Sequence, residues 1–171
     1  MDKLIIGNII SFCSSTSAMI GCCSKSKKTM FLLQFLECTL LAVASVFFES
    51  YAAITTLLLC AVRNLLVAYG KFSKPLLIAF LILVPLLGII TNNRGFIGLL
   101  PVIATIQYTL CCYIIKNANG MRFAILANLA CWITYSFLIC DFSTGTIDSI
   151  TASVDIFAII RDSIKKKKAG H

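Results

Sequence analysis

Ionisable side chains lie inside stretches of this chain that are otherwise apolar, and they are its first candidates for chemistry. Four residues occupy such positions: Glu37, Arg63, Asp148 and Asp155. A charged group at the centre of a membrane-spanning helix costs about 2.5–3.5 kcal/mol on insertion scales. We therefore expect these side chains to face the interior of a helix bundle, where a partner, water or a bound solute compensates the charge.

A second group of polar residues has the spacing of a binding face. Asn128, Trp132 and Tyr135 stand at i, i+4 and i+7, which places them on one side of a helix. A Trp ring stacks on a planar solute while a neighbouring Asn amide forms hydrogen bonds with it. The predicted substrate-binding residues are Asn128, Trp132, Tyr135, Asp155, Asn64 and Gln107. Of these, Asn128, Asp155 and Gln107 fall in one polar layer, somewhat on the cytoplasmic side of the midplane. The alternative is that Trp132 packs against lipid, but it lies too deep for an interfacial aromatic belt.

Arg63 has two interpretations that the sequence leaves open. It is either a permanent ion-pair partner of Glu37 or Asp155, which would hold two helices in register, or a contact for the substrate. If it neutralises one carboxylate, the other is available to bind a proton and couple transport to it. Asp148 is either solvated near the outer end or a ligand for an entering solute. We assign Glu37, Arg63 and Asp148 to an intramembrane charge pair or coupling group.

Seven apolar stretches position these residues. Their predicted bounds are residues 4–23, 30–48, 51–69, 75–91, 96–115, 121–140 and 144–160. Each approaches the ~20 residues that cross a ~30 Å hydrocarbon core at 1.5 Å per residue. With 59% hydrophobic and 13% charged residues, the composition leaves no separate soluble domain. The sequence predicts an all-α membrane protein with seven transmembrane helices.

The basic residues predict the orientation of these spans. Twelve of the fifteen Lys and Arg residues fall on one side of the predicted topology: Lys25, Lys27, Lys28, Lys71, Lys74, Lys116, Arg122, Arg161 and Lys165–Lys168. The positive-inside rule assigns that side to the cytoplasm, so the N-terminus is expected outside and the C-terminus inside. The net charge of +8 therefore reflects topology, and we expect anionic membrane lipids rather than nucleic acid as partners.

Enzymatic chemistry has little support in the sequence. The one His is the terminal residue, and the nine Cys residues include no C-x-x-C pair, so neither a metal nor a cofactor is expected. Buried Cys acts as a small apolar residue. Asp148 and Asp155 stand about 10 Å apart along one helix, too far for a catalytic dyad. We predict that the protein is not an enzyme.

A weak internal repeat organises the chain. A shift of 91 residues lays the first three spans over the last three and aligns their basic turns and short acidic hairpins. It also pairs Glu37 with Asn128 and Asn64 with Asp155. Because one span lies between the two units, they have the same orientation in the membrane, as in parallel repeats. The predicted layout is 3-1-3: residues 1–74, a linker helix at 75–94, residues 95–164 and a basic cytoplasmic tail at 165–171.

This 3-1-3 layout resembles the SWEET/PQ-loop superfamily, and two stretches are more specifically similar to the YgjV-like proteins of the bacterial inner membrane. One is Ala61-Val62-Arg63-Asn64-Leu65-Leu66; the other comprises Arg122, Asn128, Trp132, Tyr135, Asp141 and Gly145 and ends in residues 156–161. The superfamily resemblance implies substrate translocation, whereas the YgjV-like group implies no particular substrate. One departure is that no Pro-Gln dipeptide occurs, although Pro101 offers a hinge in the fifth span.

These observations together predict a membrane transporter. We expect it to bind a small polar solute between its two three-helix repeats and to move that solute by alternating access. The alternative is an integral membrane receptor or accessory protein that transports nothing. The expected location is the bacterial inner membrane, with membrane lipids and the solute as partners, and the sequence is compatible with a homo-oligomer.

Overall fold

All regular structure that the protein forms within the described residues is helical. The computed structural model describes residues 3–23, 26–115 and 118–169. Its helices are α1 (Lys3–Cys23), α2 (Lys27–Phe47), α3 (Tyr51–Ala68), α4 (Lys74–Ile90), α5 (Leu100–Ile114), α6 (Ala118–Leu138) and α7 (Phe142–Ala169), with a short 3-10 turn at Ile97–Leu99 before α5. The predicted all-α class is confirmed. The predicted turn residues Lys25 and Lys116 and the last two residues of the predicted tail lie outside the described residues.

Several helices have the length and composition of membrane spans. In the described ranges, three stretches of 18 residues or more are apolar enough to cross a bilayer, at Lys3–Gly21, Lys28–Phe47 and Tyr51–Ala68. Three further apolar segments, Lys74–Ile90, Leu99–Ile114 and Phe123–Leu138, are shorter. The protein is therefore a helical membrane protein, and the predicted count of seven spans belongs to the proposal below.

Burial in the bundle is inverted relative to a soluble protein. Ser11, Ser14, Thr56 and Thr109 are fully buried between helices, whereas many large apolar side chains face outward, with Phe96 91% exposed. In water such a surface would favour association. In a bilayer the apolar surface contacts lipid, and small hydroxyl residues let helix backbones approach closely.

Two turns that lie 91 residues apart have the same backbone geometry. The turn between α2 and α3 places Glu49 in the left-handed region (φ 53°), and the turn between α6 and α7 does the same with Cys140 (φ 64°). The backbone hydrogen bonds match as well: Ser50 N–H donates to Ser45 O (3.1 Å) and Asp141 N–H to Ser136 O (2.9 Å). The two hairpins are therefore equivalent in structure as well as in sequence offset.

Six of the helices close into a ring, and α4 lies outside it. Among the described residues, α1 packs on α2, α2 on α3, α3 on α5, α5 on α6, α6 on α7, and α7 on α1. Within the part of the chain that the structure describes, helix α4 packs on α3, α5 and the 3-10 turn and on no other element. Its approach to α5 is close, since a Cβ added at Gly88 would clash with Val102 Cγ2. The ring leaves a centre that every ring helix borders.

The expectation that Pro101 forms a hinge inside the fifth span is corrected by the structure. Helix α5 begins at Leu100, so Pro101 occupies its first turn. The backbone N–H groups of a first turn have no intrahelical acceptor, and a proline there removes no hydrogen bond. Pro85, by contrast, lies inside α4, where it does remove a donor.

Candidate functional site

A cavity of about 100 Å³ lies at the centre of the six-helix ring. All six ring helices line it, and no residue of α4 does. Its polar and aromatic lining residues are Gln34, Glu37, Arg63, Asn64, Thr105, Tyr108, Asn128, Trp132, Asp148 and Thr151, with Cys38 and Cys60 beside them. Glu37, Tyr108 and Asn128 fall near the middle of their helices, whereas Arg63 lies in the last third of α3 and Asp148 in the first third of α7. The cavity therefore extends across the middle of the bundle.

The volume limits what the cavity holds in this conformation. An apolar cavity of ~150 Å³ admits benzene, and one water needs roughly 10–15 Å³ of such volume. A cavity of about 100 Å³ thus has room for several waters or for one solute smaller than benzene. A polar cavity of this size would not stay dry, because its buried polar groups need partners.

Arg63 on α3 is held by groups on α3 and α5. Its Nε and Nη2 both donate to Asn64 Oδ1 (3.2 and 2.9 Å), and its Nη1 donates to Thr109 Oγ1 (2.9 Å). Its guanidinium carbon lies 5.0 Å from the centroid of the Tyr108 ring, a cation–π arrangement. Among the described residues, Glu37 is not an ion-pair partner of Arg63 within 4 Å. The guanidinium of Arg63 therefore links α3 to α5.

Asn64 extends this contact to a third helix. Its Oδ1 accepts from Arg63, and its Nδ2 donates to the Cys38 sulfur on α2 (3.5 Å). The side chain is 1% exposed, so these partners satisfy an amide that burial would otherwise leave unpaired. Asn64 and Arg63 together link α2, α3 and α5 on one wall of the cavity.

Two carboxylates line the same cavity from α2 and α7. Asp148 is 7% exposed, and within the described residues its carboxylate takes part in no hydrogen bond or ion pair. The same holds for the carboxylate of Glu37, whose backbone oxygen accepts a hydrogen bond from Ser14 Oγ (2.7 Å). Both acids thus present oxygen acceptors to the cavity without a described side chain to satisfy them.

Gln34 lies one helical turn before Glu37 on α2. Its Nε2 donates a long hydrogen bond to the Tyr108 hydroxyl on α5 (3.5 Å). Its Oε1 is buried and has no hydrogen-bond partner among the described residues. The cavity therefore contains a third acceptor group in addition to the two carboxylates.

Helix α6 contributes Asn128 and Trp132 to the opposite wall. Asn128 Nδ2 donates to the backbone oxygen of Ala104 (2.8 Å), which joins α6 to α5. The Trp132 ring lies edge-on to Tyr135, with centroids 5.8 Å apart and an interplanar angle of 86°. The predicted pairing of an amide and an indole in one cavity wall is present in the structure.

A family model described as Imp-YgjV, bacterial inner membrane protein, matches residues 5–166 of the chain. The chain belongs to this family. No curated protein and no solved structure matches it. Membership and the apolar helices support a location in the bacterial inner membrane.

Six of the nine predicted site residues of this Imp-YgjV family member line the cavity. They are Glu37, Arg63, Asn64, Asn128, Trp132 and Asp148. The structure places the other three elsewhere. Among the described lining residues, Tyr135, Gln107 and Asp155 do not occur.

The three remaining residues have other environments. Tyr135 is buried, and its hydroxyl shares a hydrogen bond with Ser50 Oγ at the end of the bundle. Gln107 Nε2 donates to Ala124 O on α6 (3.2 Å), so its amide stabilises the contact between two helices. Asp155 is half-buried on α7, outside the described lining. In this conformation the structure therefore does not bring these three residues to the cavity.

Sequence analysis missed functional groups on α5 and among the cysteines. Thr105 and Tyr108 line the cavity one helical turn apart, a spacing that could have identified them. Cys38 and Cys60 were interpreted as small apolar residues. However, the Cys60 sulfur lies 3.4 Å from Thr105 Oγ1, and the Cys38 sulfur accepts from Asn64. Both thiols are thus part of the polar lining of the Imp-YgjV cavity.

Proposed function

We propose that this protein is a membrane carrier for a small polar solute. The solute binds in the central cavity, between one unit built from α1–α3 and another built from α5–α7, and crosses the membrane by alternating access. The observation that carries the proposal is the composition of the cavity lining, because both units supply polar and ionisable side chains to one space in the middle of the bundle. The proposal includes no enzymatic activity.

The proposed architecture is a seven-span 3-1-3 layout with α4 as the linker. It is supported by the equivalent turns at Glu49 and Cys140. It is also supported by the closed ring, because the last helix of each unit packs on the first helix of the other: α3 packs on α5, and α7 packs on α1. Two units related by an axis along the membrane normal are typical of parallel-repeat transporters. Kinship with the SWEET/PQ-loop superfamily is part of this proposal.

Polar contacts between the two units support a conformation that is closed on one side. At the end of the bundle that we propose to be external, Ser11 Oγ donates to Asp141 Oδ2 (2.8 Å) and Asn8 Nδ2 to Cys140 O (3.1 Å). The bond between Ser50 and Tyr135 lies at the same end. Two further bonds between the units, from Ser143 N–H to Asn8 Oδ1 (3.1 Å) and from Ser15 Oγ to Thr144 Oγ1 (3.5 Å), also involve the start of α7. The bond from Arg63 to Thr109, by contrast, lies at the level of the cavity. An alternating-access cycle would break the outer contacts to admit solute.

The second candidate function is that of a receptor or accessory protein without transport. It is favoured by the hydrogen bonds of Arg63 and Asn128, which join helices in the manner of a permanent polar layer. Such a layer stabilises a fixed bundle without admitting a solute from both sides. The two candidates therefore differ in whether the cavity becomes accessible to water from each side of the membrane.

Cysteine labelling tests this difference. In a variant with the native cysteines replaced by Ala, Thr105→Cys places a thiol in the cavity, and Ile106→Cys places one on the α4 side of the same helix. Each protein is treated with a membrane-impermeant cationic methanethiosulfonate in right-side-out and in inverted vesicles. Alternating access predicts that Thr105→Cys reacts from both sides and Ile106→Cys from neither. Reaction of Thr105→Cys from one side only, or from neither, would favour the receptor or accessory function.

A further inference from the structure

The charge balance of the cavity indicates the chemical class of its ligand. Two carboxylates, Glu37 and Asp148, line it together with one guanidinium, that of Arg63. Arg63 is engaged by Asn64, Thr109 and the Tyr108 ring, and it forms no ion pair with either of these acids within the described residues. With both acids ionised, the cavity therefore carries an excess of negative charge that no described side chain compensates.

The Asp148 carboxylate makes this excess costly. Its side chain is 93% buried, lines the cavity and lacks a hydrogen-bond partner among the described residues. An isolated carboxylate in a low-dielectric interior is strongly unfavourable unless it is paired. A cation bound in the cavity would provide that pairing for Asp148 and for Glu37, which lines the same space.

The hydrogen-bonding groups point the same way. The lining has three acceptor groups without a described partner, namely both carboxylates and the buried Gln34 Oε1. The amide donors of Asn128, Asn64 and Gln34 already bind Ala104 O, the Cys38 sulfur and the Tyr108 hydroxyl, respectively. A ligand complementary to these three acceptor groups brings several donors. An ammonium group has three N–H donors and no acceptor, as in lysine side chains.

The remaining walls suit a small organic cation. The Trp132 indole lies in the lining, and an aromatic ring attracts a nearby cation through its quadrupole. The volume of about 100 Å³ is below the ~150 Å³ that admits benzene, so the cation is small. A hard divalent ion is less well matched, because Ca²⁺ takes six to eight oxygen ligands.

We infer that the cavity binds a small primary ammonium cation between Glu37 and Asp148, with Trp132 and Gln34 completing the site. This assignment rests on the proposed function in treating the cavity as the solute site, and it names the class of solute. The ammonium donates hydrogen bonds to the two carboxylates and to Gln34 Oε1, while its short alkyl group contacts Trp132. Arg63 positions the cavity wall and repels cations that approach its own side.

Methylammonium chloride is the probe for the test. Purified full-length protein is heated with increasing methylammonium chloride, and the unfolding midpoint is compared with that in sodium chloride at equal ionic strength and in acetamide, a small neutral amide. We expect a saturable rise of the midpoint with methylammonium only, because a ligand that binds the folded state stabilises it. No rise beyond sodium chloride, or an equal rise with acetamide, would overturn the assignment.

Variants locate the effect. Asp148→Asn and Glu37→Gln keep the size of each side chain and remove its charge, and each should weaken methylammonium binding at least about tenfold, the effect of 1.4 kcal/mol. The matched control is Glu49→Gln, which removes an acid that is exposed at an outer turn and pairs with Lys3. The affinity of this variant for methylammonium should equal that of the wild type. If either acid variant folds and binds as the wild type does, the assignment is wrong. Raised midpoints in both variants without any methylammonium effect would indicate a site for protons only, which also overturns it.

This binding test and the labelling test fail independently. Methylammonium binding without labelling of Thr105→Cys from both sides would retain the cation site and contradict transport. Labelling from both sides without methylammonium binding would retain the carrier and contradict the class of its solute.

Discussion

Asn8 and Asn93 make the same pair of hydrogen bonds to two turns that lie 91 residues apart. Asn93 Nδ2 donates to Glu49 O (2.7 Å), and its Oδ1 accepts from the N–H of Tyr51 (3.2 Å), which begins α3. Asn8 Nδ2 donates to Cys140 O (3.1 Å), and its Oδ1 accepts from Ser143 N–H (3.1 Å) at the start of α7. Each amide thus satisfies one backbone acceptor and one free N–H of a helix start.

Loss of either amide should destabilise the outer end of the bundle. Asn8→Ala and Asn93→Ala each leave a helix N–H and a turn carbonyl without their side-chain partner, and we expect a loss of about 1–2 kcal/mol in unfolding free energy. Thermal unfolding of purified protein measures it. Thr134→Ala is the control, because that exposed hydroxyl bonds only to Ala130 O of its own helix. Equal midpoints for all three variants would contradict the structural role of the amides.

Arg63 should be coupled to Thr109 more strongly than to Glu37. Thr109→Val removes the acceptor of Arg63 Nη1 at nearly constant volume, and Arg63→Lys cannot reproduce the bonds to both Asn64 and Thr109. We expect each to cost about 1–3 kcal/mol and the double variant to cost less than their sum. A double-mutant cycle on the unfolding free energy measures the coupling. A second cycle combines Arg63→Lys with Glu37→Gln. If its coupling energy is larger than that of the cycle with Thr109→Val, the result would favour the ion pair between Arg63 and Glu37.

The sequence predicts most of the helices because apolar length and turn residues are local properties. Span bounds agree with the helices within a few residues at α1 and α3. The largest discrepancy is at α7, where the predicted span stops at residue 160 but the helix continues to Ala169. Apolarity ends at the edge of the hydrocarbon core, whereas helix propensity continues through a run of lysines. Hydropathy therefore locates the membrane and not the end of the helix.

Depth could be predicted for the site residues, but rotation about the helix axis could not. Gln107 and Tyr108 have nearly the same depth, yet Tyr108 lines the cavity and Gln107 contacts Ala124 on α6. Neighbouring helical residues point about 100° apart, so the orientation depends on the packing of the whole ring. Tyr135 shares a face with Asn128 but lies about 10 Å farther along α6, where Ser50 is its partner.

Asp141 should make stability depend on pH. It precedes α7 in the outer turn, and burial raises the pKa of its carboxyl, while hydrogen bonds from Thr144 and Ser11 oppose that rise. The pKa of this carboxyl is higher in the folded state than the value of about 3.9 that it has in the unfolded state. Below about pH 3.9 the carboxyl therefore stabilises the folded state, and this stabilisation is lost as the pH rises through the folded pKa. The unfolding midpoint of the wild type minus that of Asp141→Asn should therefore fall from pH 4 upward. A difference that is constant or rises over this range would contradict the burial of the charged form.

The orientation of the chain should follow its basic residues. Twelve of the fifteen Lys and Arg residues lie on one side of the proposed topology, and such a bias places that side in the cytoplasm. A reporter that is active only in the cytoplasm should be active when it is fused after His171. A reporter fused before Met1 should be accessible from outside. Both termini on the same side of the membrane would exclude seven spans and, with them, the 3-1-3 layout.

Trp132 and Tyr135 should separate ligand binding from fold stability. Trp132 lines the cavity, whereas Tyr135 lies beside it and bonds to Ser50. Trp132→Phe keeps an aromatic ring against Tyr135 but removes the indole, the strongest cation–π partner. We expect weaker stabilisation by methylammonium, with little change in the midpoint of the unliganded protein. Tyr135→Phe should do the reverse: it loses one buried hydrogen bond, worth about 1 kcal/mol, and retains the affinity of the wild type. The two effects are read from one series of thermal unfolding curves with and without the probe. If Trp132→Phe lowers only the unliganded midpoint and leaves the affinity intact, Trp132 is a packing residue and the cation is bound by the acids alone.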